Sequence, residues 1–186
     1  MTRGMTLWFT GLSGAGKTTI AEIVGPELEQ RGHCVEYLDG DVVRTHLSKG
    51  LGFSKADRDT NIERIGWVSS RLTRYGATVL VSAISPYEAT RRTARKMVEQ
   101  EGAFVEIHVA TSVDECARRD VKGLYAKAFA GELREFTGVS DPYEPPPAPE
   151  LVLNTEGQSP RQSADLVLDR LVELGLLPPR LAVASA

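Results

Sequence analysis

The run of residues 11–18 constrains this chain most. It reads Gly-Leu-Ser-Gly-Ala-Gly-Lys-Thr and fits the pattern GxxxxGK[ST] at every fixed position. An apolar run at 6–10 predicts a strand before it, and apolar residues at helical spacing over about 17–31 predict a helix after it. Glycines let backbone N–H groups turn inward around an anion, and a helix N-terminus adds positive potential. The pattern therefore predicts a phosphate-binding loop, with a plain glycine turn as the alternative.

The parts of this loop have separate predicted tasks. Lys17 is expected to reach the β- and γ-phosphates of ATP, and Thr18 to offer its hydroxyl to Mg²⁺. Mg²⁺ with ATP is therefore the expected cofactor. The predicted ATP-binding residues of the loop are Gly11, Ser13, Gly14, Ala15, Gly16, Lys17, Thr18 and Thr19.

Hydrophobic patterning beyond the loop alternates between strands and helices. This alternation predicts a three-layer α/β/α fold of the P-loop NTPase type, with a five-stranded, mainly parallel sheet and a mobile lid. Ligands of such sheets bind beyond the carboxyl ends of the strands. The predicted strands are 6–10, 35–38, 77–84, 104–109 and 151–153, and the predicted helices are about 17–31, 54–75, 87–101, 112–119 and 159–174.

The length of 186 residues fits a single domain, 1–186. Residues 120–150 contain three glycines and five prolines, are weakly periodic, and precede a further strand and helix, so they are predicted to form the lid. Residues 177–186 are expected to be a flexible tail.

Composition and charge exclude several classes of protein. A formal net charge of −3 gives no basic excess, so nucleic acid and anionic membranes are not expected partners. No apolar run is long enough to span a membrane. Cys34 and Cys116 lie far apart without a CxxC partner, so a zinc cage or disulfide framework is not expected, and both are predicted to be small buried residues. The expected compartment is the cytoplasm.

A phosphate-binding loop alone does not name a reaction. Switch GTPases usually carry an Asn-Lys-x-Asp base reader, and neither Asn61 nor Asn154 is followed by lysine. Motor ATPases usually end a central strand with a metal-binding aspartate, whereas the strand at 77–84 runs into Ser85 and Pro86. The short chain and its lid-like segment favour a small phosphotransferase.

Acidic and basic residues follow the second predicted strand. Asp39 and Asp41 should lie beside the loop, where a carboxylate can orient an acceptor hydroxyl, accept its proton, or hold Mg²⁺ through water. Arg44 lies one helical turn beyond Asp41, and Arg58, Asn61 and Arg64 are spaced to share a helix face, which suggests a doubly anionic acceptor. A turn or helix cap at Asp39 and a solvated helix face are the structural alternatives.

Several further segments resemble the adenylylsulfate kinase (APS kinase) family, which phosphorylates the 3′-hydroxyl of adenosine 5′-phosphosulfate. The resemblance covers about 7–156. Its most specific parts are Ile-Ser-Pro-Tyr at 84–87 and Lys-Gly-Leu-Tyr at 122–125. The other parts are the loop itself, Asp-Gly-Asp at 39–41 with Arg44, Leu-Gly-Phe-Ser at 51–54, Asp-Arg at 57–58 with Asn61, Arg-Ile-Gly at 64–66, Phe-Thr-Gly at 136–138 and Asp-Pro-Tyr-Glu-Pro at 141–145.

The resemblance implies a role for each matching residue, with ATP and adenylyl sulfate as partners and a homodimer as an expected assembly. Lys17 and Asp41 would be catalytic, Asp41 acting on the 3′-hydroxyl and holding Mg²⁺ through water beside Thr18. Arg119 would lie near the ATP adenine, and Phe53 and Phe136 would stack on the acceptor adenine. The remaining acceptor-binding residues would be Asp39, Arg44, Arg58, Asn61, Ile84, Ser85, Pro86, Lys122 and Lys127.

The chain departs from the family pattern at four positions. Glu63 stands where arginine is common, Glu88 where a basic residue is common, Ala126 where lysine is common and Glu135 where glycine is usual. None of these lies in the phosphate-binding loop, so they bear on acceptor affinity and lid behaviour. Two other functions stay open at this point, namely a non-catalytic nucleotide sensor and a kinase of another small hydroxyl compound.

Overall fold

The computed structural model describes residues 4–179, in which the chain forms one parallel sheet with helices on both faces. The strands are β1 Met5–Thr10, β2 Val35–Asp39, β3 Thr78–Ser82, β4 Ala103–Val109 and β5 Leu151–Leu153. The helices are α1 Lys17–Gln30, α2 Gly40–His46, α3 Lys55–Arg74, α4 Glu88–Glu99, α5 Val113–Arg119, α6 Leu124–Phe129 and α7 Pro160–Glu173.

The strand order β2-β3-β1-β4-β5, with every pair parallel, brings the functional segments together. In register, Phe9 of β1 lies beside Ser82 of β3, and Asp39 of β2 lies on the other side of Ser82. The carboxyl ends of these three strands therefore meet at one edge, where residues 11–16, 39–41 and 83–86 follow them. The predicted α/β/α fold with a five-stranded parallel sheet is confirmed.

Successive residues of β1 pack on opposite faces of the sheet, because neighbouring side chains of a strand point to opposite sides. Leu7 and Phe9 belong to a core cluster with residues of α1 and α7, whereas Trp8 belongs to a second cluster with residues of α3 and α4. All three side chains are fully buried. These two clusters create the three layers and fix the helix that follows the phosphate-binding loop.

Serine caps begin three of the helices. The side chains of Ser54, Ser112 and Ser159 accept hydrogen bonds from backbone N–H groups of the first helical turn. Ser159 forms a full capping box with Gln162, and Pro160 occupies the first turn of α7.

The structure differs from the sequence prediction in a few places. The predicted lid segment, 120–150, contains the short helix α6, and α2 forms directly after Asp39. Cys116 is buried but Cys34 is exposed, so the prediction of two buried cysteines is wrong for Cys34. Cys34 lies just before β2, at the edge of the sheet, where few neighbours cover it.

At the C-terminal end, Leu177 is buried against the α1 and α7 side of the core, although it stands at the start of the predicted tail. The rest of that tail, from residue 180 onward, lies outside the described residues. Over residues 4–179, no helix is long and apolar enough to cross a membrane.

The close approach of α3 and α4 gives a test of the packing. A Cβ atom added at Gly66 of α3 would lie 2.7 Å from the Cβ and 2.9 Å from the Cα of Ala94 on α4. We expect Gly66→Ala to lower the free energy of unfolding by about 2 kcal/mol, as overpacking of a rigid contact does. Urea unfolding measures the effect, and Glu63→Ala, at an exposed position of the same helix, is the control. A Gly66→Ala protein as stable as the wild type would contradict the close contact between α3 and α4.

Candidate active site

A cavity of about 680 Å³ opens at the carboxyl edge of the sheet. It runs from the phosphate-binding loop, past β2 and β3, to the start of α3 and the segment after α6. Among the residues predicted from the sequence, its lining contains Ser13, Gly14, Gly16, Lys17, Thr18, Thr19, Asp39, Asp41, Arg44, Phe53, Arg58, Asn61, Ile84, Ser85, Pro86, Lys122 and Phe136.

Four predicted residues lie outside this lining. Gly11 lies at the start of the loop, where its N–H points to the Ile84 carbonyl, and Ala15 is buried. Arg119 donates to the Thr155 carbonyl at 3.2 Å and pairs with Glu115. Lys127 is exposed on α6, so its predicted contact with the acceptor requires a movement of that helix.

The loop holds a buried cation at the start of α1. Gly14 and Gly16 have φ of 74° and 106°, a region that side chains rarely adopt, and α1 begins directly after Gly16. The ammonium of Lys17, which is 8% exposed, donates to the carbonyls of Gly11 at 3.0 Å and Leu12 at 2.7 Å. Burial lowers the pKa of Lys17 from 10.5 to about 8, which the nearby Cys116 and Asp39 only partly offset.

Carboxylates and hydroxyls line the cavity next to Lys17. The Thr18 hydroxyl donates to Asp39 Oδ2 at 2.7 Å, while Asp39 Oδ1 accepts the N–H of Asp41 at 2.9 Å and so caps α2. The cap alternative therefore holds for Asp39, but its second oxygen faces the loop. Asp41 projects from the first turn of α2, is exposed, and forms an ion pair with Lys122 of the predicted lid segment.

The far end of the cavity is cationic. Arg44 donates to the Gly52 carbonyl at 2.9 Å, and Arg58 donates to the Phe53 carbonyl at 2.7 Å and also to the Glu135 carbonyl. Burial and the Arg58 guanidinium lower the pKa of Arg44, as expected where two cations are crowded together.

Asn61 lies one turn after Arg58, is buried, and its Oδ1 has no hydrogen-bond partner among the described residues. A buried unpaired amide oxygen that lines a cavity is available to a ligand. Arg64 departs from the predicted face: its guanidinium donates to the Leu47 carbonyl at 3.1 Å, away from the cavity, because six helical positions turn the side chain too far.

Two aromatic rings line the cationic end. Phe53 is 56% exposed, and the guanidiniums of Arg44 and Arg58 lie 4.5 Å and 5.6 Å from its ring centre. Phe136 packs against the main core and contacts the Tyr125 ring edge-on, with ring centres 5.0 Å apart. One ring is therefore exposed beside two guanidiniums, and the other is packed against the core.

The 84–86 loop forms the wall below β3. Ser85 has φ of 42°, which is unusual for a residue other than glycine. Its Oγ accepts the indole N–H of Trp8 at 3.0 Å, and the Thr10 hydroxyl donates to the Ile84 carbonyl at 2.7 Å. The loop is thus held from the sheet side by residues of β1.

Sequence reasoning missed two contributors to this cavity. Thr137 lines it, is buried, and has no partner for its Oγ1 among the described residues; its place after Phe136 in Phe-Thr-Gly was the available signal. Tyr125 also lines it and donates its hydroxyl to the Ser13 carbonyl at 2.9 Å, a long-range contact that no local pattern reveals.

The four departures from the family pattern have distinct surroundings. Glu135 has φ of 56°, the left-handed region that suits the usual glycine, and its carbonyl accepts from Arg58. Glu88 begins α4 and pairs with Arg92. Ala126 and Glu63 are exposed.

The buried ammonium predicts a pH effect on stability. Because the folded protein lowers the pKa of Lys17, the unfolded chain binds more protons between about pH 8 and 10.5, and this term raises the free energy of unfolding as pH rises. Charging Lys17 costs the ligand-free protein roughly 3 kcal/mol at neutral pH. Lys17→Met should therefore be the more stable protein at pH 7, with an advantage that shrinks toward pH 10.

Urea unfolding of the wild type and of Lys17→Met at several pH values measures the difference in their free energies of unfolding. The contributions of the other titrating groups cancel in this difference, because both proteins contain them. Lys96→Met, which removes an exposed lysine of α4, controls for the loss of a lysine. A stability difference between wild type and Lys17→Met that stays constant from pH 7 to pH 10 would contradict the burial of the charge.

Known proteins are similar to this chain in sequence and in fold. The profile of the family described as Adenylylsulphate kinase matches residues 3–154. An adenylyl-sulfate kinase of Synechococcus sp. (strain JA-3-3Ab) is 56% identical over 175 residues, which are 94% of this chain and 98% of that protein. The Mycobacterium tuberculosis APS kinase CysC, solved in complex with AMPPNP and APS, is 44% identical with a TM-score of 0.88 and covers 92% of this chain and 99% of its own. The chain therefore belongs to the adenylylsulphate kinase family.

Proposed function

We propose that the protein transfers the γ-phosphoryl group of ATP to the 3′-hydroxyl of adenosine 5′-phosphosulfate, giving ADP and 3′-phosphoadenosine 5′-phosphosulfate. The observation that carries this proposal is one cavity that joins both halves: it has a buried ammonium in a phosphate-binding loop at one end and two guanidiniums beside an exposed aromatic ring at the other. Asp41 lies between the two ends. Two anionic nucleotides can therefore meet head to head with a carboxylate at their junction.

The ATP half consists of the loop and Lys17. Backbone N–H groups of residues 13–18 receive the β- and γ-phosphates, and Lys17 stabilises the charge that develops on the transferred group. The phosphates also supply the counter-charge that the buried ammonium lacks in the free protein. Arg119, beside Ala15, is assigned to the adenine side of ATP.

The residues beside the loop also fit Mg²⁺. The hydroxyl of Thr18 and the carboxylate of Asp39 lie together at the cavity, and Asp41 follows, which gives the hard oxygen donors that this cation prefers. In this proposal Thr18 holds the cation directly and Asp41 through water. Bound Mg²⁺ would neutralise charge on the ATP phosphates.

The acceptor half places the 3′-hydroxyl at Asp41. Its carboxylate orients the hydroxyl and accepts its proton as the O3′–Pγ bond forms and the bond from Pγ to the bridging oxygen of ADP breaks. Asp41 and Lys122 are both exposed, so their ion pair is weak enough to exchange for substrate contacts.

The far end of the cavity binds the acceptor nucleotide. Arg44, Arg58 and Asn61 hold the phosphosulfate and ribose, while Phe53 and Phe136 stack on the adenine. Sulfate is a weak base, so fixed cations suit it better than proton donors. Asp39, Ile84, Ser85 and Pro86 complete the wall, and Lys122 and Lys127 approach when the lid over 120–150 closes and excludes water.

The wider setting follows from the same proposal. ATP and adenylyl sulfate are intracellular metabolites, so the reaction is assigned to the cytoplasm. Assembly as a homodimer stays a prediction that sedimentation of the purified protein can test.

The reaction is tested by ADP release with adenylyl sulfate as acceptor. Lys17→Ala and Asp41→Ala should each lower kcat by at least roughly a hundredfold, the scale of one lost electrostatic contact to the transition state. Asp169→Ala, at an exposed position of α7 far from the cavity, is the control.

The outcomes separate this proposal from its alternatives. Phosphorylation of only another hydroxyl compound in an acceptor panel would replace the substrate. Failure to bind Mg-ATP in calorimetry would indicate a non-catalytic sensor. Near-normal kcat in Asp41→Ala would remove that residue from the mechanism.

A further inference from the structure

A buried arginine outside the cavity holds the 84–86 loop from behind. Arg91 of α4 is 2% exposed, and its guanidinium donates from Nη1 to the Ser85 carbonyl at 2.7 Å. It also donates from Nη2 to the Glu144 carbonyl at 2.8 Å and from Nε to Glu106 Oε1 at 2.9 Å. One side chain therefore joins the 84–86 loop, the end of the predicted lid segment and β4.

The contacts explain how Ser85 keeps its unusual backbone. A residue other than glycine at φ of 42° persists only where its surroundings fix it. Trp8 holds the Ser85 side chain and Arg91 holds its carbonyl. Glu144 closes the arrangement, because its N–H donates to the Pro86 carbonyl at 2.8 Å and its carboxylate accepts the N–H of Glu88 at 2.7 Å.

We infer that Arg91 is a positioning residue for the acceptor side of the cavity, acting through the backbone of Ser85 and Glu144 without touching substrate. The inference rests on the proposed function. Glu106 balances the charge of Arg91 in the core and accepts from its Nε. The two terminal nitrogens, Nη1 and Nη2, are then left to donate to the carbonyls. Lysine could keep the ion pair with Glu106 but could not span the three acceptors, because its ammonium is a compact point charge.

Arg91→Lys should therefore separate the two substrates kinetically. We expect KM for adenylyl sulfate to rise about tenfold, the scale of one lost hydrogen bond from a charged donor, while KM for ATP stays within about twofold. The Thr10 hydroxyl, 3.4 Å from the Ser85 carbonyl, remains as a weaker donor. A role in stability alone would lower the melting temperature without separating the two KM values.

Arg95→Lys is the matched control. Arg95 lies one turn along α4, is also largely buried, and shares Glu106 at 3.5 Å, but its main partner is Glu150 at 2.8 Å, away from the 84–86 loop. Both KM values of this variant should stay within about twofold of wild type. Equal effects of the two substitutions, or a rise of both KM values together in Arg91→Lys, would overturn the inference.

A second variant guards against misfolding of the first. Arg91→Met combined with Glu106→Gln removes both charges, so that no uncompensated ion is buried, and it also removes the donor to Ser85. It should show the same selective rise in KM for adenylyl sulfate. A folded double variant with wild-type KM values would overturn the inference.

Fluorescence supplies a readout that does not need turnover. In a Trp67→Phe background, Trp8 is the remaining tryptophan, and its indole donates to Ser85 Oγ. Arg91→Lys should shift the Trp8 emission. Lys96→Met, at an exposed position of α4, should leave it unchanged and is a better control here than Arg95→Lys, because Arg95 stacks on Phe104, which stacks on Trp8. Unchanged emission in Arg91→Lys would overturn the positioning role. Wild-type protein without activity on adenylyl sulfate would refute the proposed function alone, and the emission would still decide the role of Arg91.

Discussion

The burial of one ammonium group is the constraint on which the rest of the site depends. Lys17 opens α1, so its side chain and the free N–H groups of the first helical turn are aimed at the same point. Among the described residues its hydrogen-bond partners are the neutral carbonyls of Gly11 and Leu12, so the charge lacks a bonded counter-ion until an anion arrives. The loop is therefore less stable empty than filled, and the sheet and α1 have to hold it in place.

Most of the fold could be predicted because its signals are local. The apolar run of β1, the serine caps of α3, α5 and α7, and the alternation of strands with helices all lie within short windows of sequence. The helices α2 and α6 were harder, because seven and six residues are too few to show a period of 3.6 and, unlike the equally short α5, neither begins with a serine cap. The exposure of Cys34 depends on β2 being an edge strand, which is a property of strand order.

The site was predictable where its residues follow strands and unpredictable where they are joined across the fold. Asp39 and Ser85 could be placed at one edge of the sheet, since parallel strands end together. Arg91 joins Ser85, six residues before it, to Glu144, which lies far along the chain, and no spacing rule connects these two segments. For Arg64 the sequence predicted a contact that the structure lacks. Its spacing of three residues from Asn61 suggested a face shared with Arg58, but six positions along a helix turn the Arg64 side chain away from the cavity.

The partners of the cations distinguish the site from the rest of the surface. Elsewhere, several exposed cations pair with carboxylates, as Lys55 does with Asp59 and Arg161 with Glu27. In the cavity, carbonyl oxygens hold three of the cations: Lys17 on Gly11 and Leu12, Arg44 on Gly52, and Arg58 on Phe53 and Glu135, whereas Lys122 pairs with the Asp41 carboxylate. A carbonyl fixes the direction of a cation without cancelling its charge, whereas a carboxylate would cancel it. Lys17, Arg44 and Arg58 therefore keep their charges in a fixed geometry, and the anionic groups of the two proposed substrates can act as their counter-ions.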